Sequence, residues 1–108
     1  MAQLRQRKAE LDGAGAVVVD VLPMDLVRAA TFKRTRAGPF ATLSDPAGRA
    51  CATYGVARQL VVHNEWVNSP SVFVIDRKGV ITYAHVGSSF GDRPSAEKVV
   101  EEVKKAAR

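Results

Sequence analysis

Apolar positions follow two rhythms along this chain. At the start, Leu4, Lys8 and Leu11 recur at helical spacing with charged residues between them, which predicts a helix over residues 2–12. Gly13 and Gly15 follow, as glycines do past a helix C-terminus. No capping residue precedes this helix, so its pattern reads as one that starts in mid-element. Residues 16–22 are a nearly continuous β-branched run. Such a run predicts a strand buried on both faces, the habit of a parallel sheet. Pro23 stops it.

Leu26, Val27, Ala30 and Lys33 then fall on successive turns, predicting a second helix over 24–35. Gly38-Pro39 is a turn, and 40–43 is a short strand closed by Ser44-Asp45-Pro46. Asp45-Pro46 has the form of a helix start and predicts a short helix over 47–54, ended by Gly55. Residues 57–69 are ambiguous: Leu60-Val61-Val62 fits a strand and 63–69 reads as loop. The clearest strand is 71–76. Arg77-Lys78-Gly79 turns it into a hairpin partner over 80–86. After a loop over 87–93, residues 94–107 form the closing helix. Val99, Val100, Val103 and Ala107 make its apolar stripe, and Lys104, Lys105 and Arg108 sit where the helix dipole favours cations.

This order is a one-domain α/β pattern with no repeat and no linker, so residues 1–108 are read as a single domain. A composition of 46% hydrophobic and 25% charged residues excludes a disordered tail or a fibre. The longest apolar runs, 16–19 and 72–75, are far short of a membrane span. The polar N-terminus has no signal-peptide core, which sets the cytoplasm as the expected compartment. The net charge of +5 collects in two groups, Arg5/Arg7/Lys8 and Lys33/Arg34/Arg36. With few aromatics to stack bases, both are read as solvated helix faces, and neither nucleic acid nor membrane is expected as a partner.

One cysteine, Cys51, excludes an internal disulfide and any cysteine-based zinc site. His63 and His85 have no metal-binding spacing, no Gly-rich phosphate loop is present, and neither a metal nor a cofactor is expected.

Phe40…Leu43-Ser44-Asp45-Pro46, then Tyr54-Gly55-Val56, then Pro70-Ser-Val-Phe-Val-Ile-Asp76 with Gly79-Val-Ile81 and Tyr83, form an ordered set. It resembles the peroxiredoxin-like redoxins of the alkyl hydroperoxide reductase/thiol-specific antioxidant superfamily over nearly the whole chain. The resemblance implies a thioredoxin-like three-layer α/β fold with a mixed sheet. It implies thiol-dependent oxidoreductase chemistry, either peroxide reduction or disulfide exchange, serviced by a thiol reductant such as a thioredoxin-like protein.

Two departures qualify it. The family carries its attacking cysteine at the start of the first main helix, after a central strand. Here the chain starts inside that helix, so the expectation is a domain incomplete at the N-terminus, lacking the first, central strand and the attacking thiol. Where peroxidase members place an arginine, this chain has Asn68-Ser69-Pro70-Ser71, and Pro70 there resembles a thioredoxin-type cis-proline. Ser69, Pro70 and Trp66 are accordingly the candidate substrate groove, with His63 beside them.

Cys51 has two readings, a resolving or sensor thiol and a small apolar core residue. His85, Asp76 and the run Asp92-Arg93-Pro94-Ser95 are read as structural, with an Asp92–Arg93 pair as a tie for the loop. The alternative function is a non-catalytic thioredoxin-like module that binds an extended peptide. Without the central strand, the strands at 16–22 and 71–76 have unpaired inner edges. Three outcomes are expected: the two strands pair directly, a second copy fills the gap in a homodimer, or the chain is marginally stable.

Overall fold

The computed structural model describes residues 2–56, 60–62, 65–67, 70–89 and 91–108, without the side chains of residues 2, 37, 60–62 and 65–67. The expected first helix is two short ones, α1 (Ala2–Gln6) and α2 (Lys8–Gly13). Arg7 divides them at φ −103°, ψ 14°, and its guanidinium forks onto Glu10. Gly15, at φ 78°, takes the left-handed turn that releases the chain toward β1.

β1 (Val19–Leu22) runs parallel to β2 (Ala41–Ser44), with Val19 opposite Ala41 and Leu22 opposite Ser44. The ladder is shorter than the apolar run predicts. Upstream of Ala41 the chain is Phe40 and the Gly38-Pro39 turn, and proline has no N–H to offer residues 16–18.

α3 (Leu26–Phe32) starts two residues later than predicted, because the Asp25 carboxylate accepts from the Arg28 amide at 2.8 Å. It continues as a wider π turn over Lys33–Ala37, closed by the Gly38 amide on the Lys33 carbonyl at 3.0 Å. The predicted apolar stripe of this helix is not buried. Leu26, Val27 and Ala30 face solvent and Ala29 is the buried residue, since β2 meets the helix on that other side.

α4 (Arg49–Thr53) starts after Gly48, in a left-handed conformation, and not at Pro46. The Asp45 carboxylate still serves it, accepting from the amides of Arg49 at 3.0 Å and Cys51 at 3.1 Å. β3 (Leu60–Val62) pairs antiparallel with β4 (Glu65–Val67), so the second part of the segment read as loop contains a strand. β5 (Ser71–Ile75) and β6 (Ile81–Val86) form the predicted hairpin. As expected, Asp76 is structural, accepting from the amides of Lys78 and Val80 inside the turn. α5 (Ala96–Ala106) is capped by Ser95, whose hydroxyl accepts from the Lys98 amide at 3.1 Å, and Ala107 lies beyond its end.

Leu11, Phe40 and Val100 make the centre of the core, with Leu4, Ala16, Val18 and Val103 packed around them. Thus α2 and α5 pack together over Ala16, Val18 and Phe40, just ahead of β1 and β2, and α5 continues onto β5 and β6. On another side Tyr54 meets Phe73 edge-on at 4.8 Å, joining the end of α4 to β5.

Among the described residues the six strands form three separate two-stranded ladders. β1 and β5 do not pair, which removes the first of the three expected outcomes. Outside the β1–β2 ladder, no described backbone hydrogen bond involves residues 17–21. The side chain of Arg77, just past β5, comes within 3.4 Å of where a Cβ on Gly15 would lie, just before β1. The Arg77 guanidinium therefore reaches the turn that precedes β1.

Candidate functional site

Of the candidate groove residues, Pro70 falls at the head of β5. Pro70 is half-buried there, and its carbonyl accepts from the Gly87 amide at 2.8 Å. Gly87 leaves β6 directly opposite and is enclosed. A Cβ at this position would lie 2.5 Å from the Asp92 carbonyl oxygen and 2.8 Å from Pro70 Cγ. Only a glycine lets the two backbones approach this closely.

The loop over 87–92 is drawn into a ring by Asp92. Its carboxylate accepts from the Ser88 amide at 2.8 Å and the Ser88 hydroxyl at 3.0 Å, and faces His85 Nε2 at 3.0 Å. The Ser88 amide and hydroxyl, and after them His85, hold the Asp92 carboxyl below the usual carboxylate range. His85 is hydrogen-bonded structure, as read from its strand position. The Asp92 carboxylate ties the loop through Ser88 and His85.

Ser69 and His63 lie outside the described residues, and so does the conformation of the Ser69–Pro70 bond. The backbone of Trp66 stands in β4 opposite Val61, and its side chain lies outside the description.

Cys51 belongs to a different cluster. It sits on α4 at 8% exposure. Its amide and its side chain both engage the Asp45 carboxylate, and the amide contact is the main reason that this carboxyl lies below its usual range. Cys51 is thus buried beside a carboxylate.

The sequence reading missed Gly87. Its signal was slight, a single glycine where the hairpin strand ends. It also missed Asp20 and Thr42, neighbours across the β1–β2 ladder. Asp20 Oδ2 and Thr42 Oγ1 are both buried and lack a hydrogen-bond partner, and burial raises the Asp20 carboxyl above its usual range. Here the signal was visible: an aspartate inside the run Val-Val-Val-Asp-Val-Leu.

Among the described residues no group of histidine, cysteine and carboxylate side chains is placed to hold a metal ion. No described helix is long and apolar enough to cross a membrane.

A parallel pair and an antiparallel hairpin against α2 and α5, with a proline heading the hairpin, define an α/β protein of thioredoxin-like fold. The solved structure of the Xanthomonas campestris bacterioferritin comigratory protein, from a study of its alkyl peroxide reduction activity, is similar to it. The TM-score is 0.78 at 19% identity, over 97% of this chain and 67% of that one. The AhpC/TSA family pattern matches residues 1–84, and the chain belongs to that family. No curated protein matches it in sequence. The family match ends within β6, so the ring over 87–92 and α5 lie beyond it.

Proposed function

We propose that this chain serves thiol-dependent redox chemistry, peroxide reduction or disulfide exchange, with an attacking cysteine that is not Cys51 and lies outside these 108 residues. The observation that carries this reading is the placement of Cys51, buried against the Asp45 carboxylate. In peroxide reduction the attacking thiolate forms a sulfur–oxygen bond as the O–O bond breaks, and the leaving alkoxide takes up a proton. The sulfenic acid then condenses with a second thiol, giving a disulfide and water. A dithiol protein of thioredoxin type restores both thiols as its own pair is oxidised. In this scheme the Pro70–Gly87 contact is a fixed backbone platform beside the reacting sulfur, and Cys51 is part of the core.

The test is peroxide consumption by the 108-residue chain with a thioredoxin reducing system, beside Cys51→Ser. Neither is expected to exceed the protein-free rate. Consumption that Cys51→Ser abolishes would overturn the assignment of the attacking group. An intact mass of the protein from its own cells above 11.6 kDa, with a cysteine in the added N-terminal peptide, would support it.

The backbone contact of Pro70 with Gly87 favours a second reading, a non-catalytic module that holds an extended peptide in the groove around Pro70. Equal binding of a labelled peptide by the wild type and Cys51→Ser would support it.

A further inference from the structure

We propose that His85 and Asp92 are positioning residues for Pro70, acting through Gly87 to hold the proline that heads the candidate groove. The proposal rests on the reading above, in which Pro70 and Gly87 form the platform beside the reacting sulfur. His85, Ser88 and Asp92 all lie past the end of the family match at residue 84.

Pro70 needs such support. It stands just ahead of β5, and the ladder with β6 begins at Ser71 opposite Val86. A proline has no N–H to add to a ladder. The described backbone bond that holds it is the one its carbonyl accepts from the Gly87 amide at 2.8 Å. Gly87 is buried where two backbones meet. The Asp92 carbonyl oxygen and Pro70 Cγ both crowd the point where its Cβ would lie, at 2.5 and 2.8 Å. Close packing transmits displacement, so a shift of Asp92 is passed through Gly87 to Pro70.

His85 is what sets Asp92 against the sheet. The Ser88 amide and hydroxyl bind the Asp92 carboxylate from within the same loop, and the Asp92 amide donates to the Ser89 carbonyl at 3.1 Å, again within it. These contacts close the loop on itself. His85 belongs to β6, opposite Val72, and its Nε2 lies 3.0 Å from Asp92 Oδ1. An ionised carboxylate only accepts, so Nε2 carries the proton and donates it. The two oxygens thus divide the work: Oδ2 closes the loop and Oδ1 fastens it to the strand.

The test is NMR of the 108-residue chain, which needs no thiol chemistry. Two signals read the placement of Pro70: the nuclear Overhauser contact between the Gly87 α-protons and the Pro70 side chain, and the exchange rate of the Gly87 amide. His85→Val suits a strand and has no donor. It is expected to weaken the contact and to speed that exchange at least about tenfold, with amides in the middle of the β5–β6 ladder unchanged. His85→Gln supplies an N–H donor again and should restore both signals. Asp92→Ala should lose them, and Asp92→Asn should keep them, its oxygen accepting from Ser88 and its amide donating to the imidazole. Ser95→Ala weakens α5 without touching the loop and should leave both signals as they are. Unchanged signals in His85→Val and Asp92→Ala overturn the proposal. A loss that His85→Gln does not reverse, or that Ser95→Ala reproduces, overturns it equally. The redox reading fails by a different observation, peroxide consumption that Cys51→Ser abolishes, and that result leaves the Gly87 signals where they are.

Discussion

Lys104, on the last turns of α5, donates to the Glu10 carboxylate of α2 at 3.2 Å, across 94 positions of sequence. Arg7 holds the same carboxylate from the other side. Together, Arg7 first, they bring the Glu10 carboxyl down to about 2 from an ordinary 4.5. A depressed carboxyl contributes stability above its unfolded value and loses it as pH falls through its folded value. The midpoint of urea unfolding is therefore expected to hold down to about pH 4.5 and then fall toward pH 2. In Glu10→Gln that part of the acid dependence should be gone. An unchanged acid profile in the variant would show that the bridge does not act in folding.

Asp20 gives the opposite sign. Its carboxyl is raised by burial, so its ionised form works against the fold, and the cost appears as pH rises through its folded value. Asp20→Val removes an orphaned carboxylate from an apolar strand and is expected to stabilise by about 1 kcal/mol at neutral pH. The gain should shrink below pH 3.8, the ordinary aspartate value. Denaturant titrations at pH 7 and pH 3 measure both quantities.

Gly87→Ala sets a methyl group against the Asp92 carbonyl and Pro70, where backbone cannot yield cheaply. A loss of about 1–3 kcal/mol is expected, as for overpacking elsewhere. Gly91→Ala is the control, since nothing lies within 4 Å of its added Cβ. Amide exchange at Ser88 and Asp92 should rise only in the first variant.

Ser95→Ala removes the hydroxyl that caps α5 and should cost about 1 kcal/mol, while Ser95→Asp should restore most of it. Thermal unfolding of the three proteins side by side decides the point.

The hairpin of β5 and β6 was legible because one glycine turn joins two apolar runs, and α5 because its stripe and its serine cap agree. Leu26 and Val27 misled for a physical reason. Helical spacing says which residues share a face, but not whether any other element covers that face. Residues 65–67 were hidden because a three-residue strand is too short for a period to appear. The Pro70–Gly87 contact joins residues 17 positions apart, and no local pattern encodes it. Asp20 was legible as an exception inside an apolar strand, although its unpaired neighbour Thr42 was not.

α5 packs on α2 and also on both strands of the hairpin, and so spans the two halves of the molecule. It is also synthesised after the other described elements. While the chain is still being made, the N-terminal ladder and the C-terminal hairpin therefore lack the helix that holds them together. Final assembly waits until α5 has emerged from the ribosome, and until then the growing chain carries its apolar surfaces in the open, where chaperones can bind them.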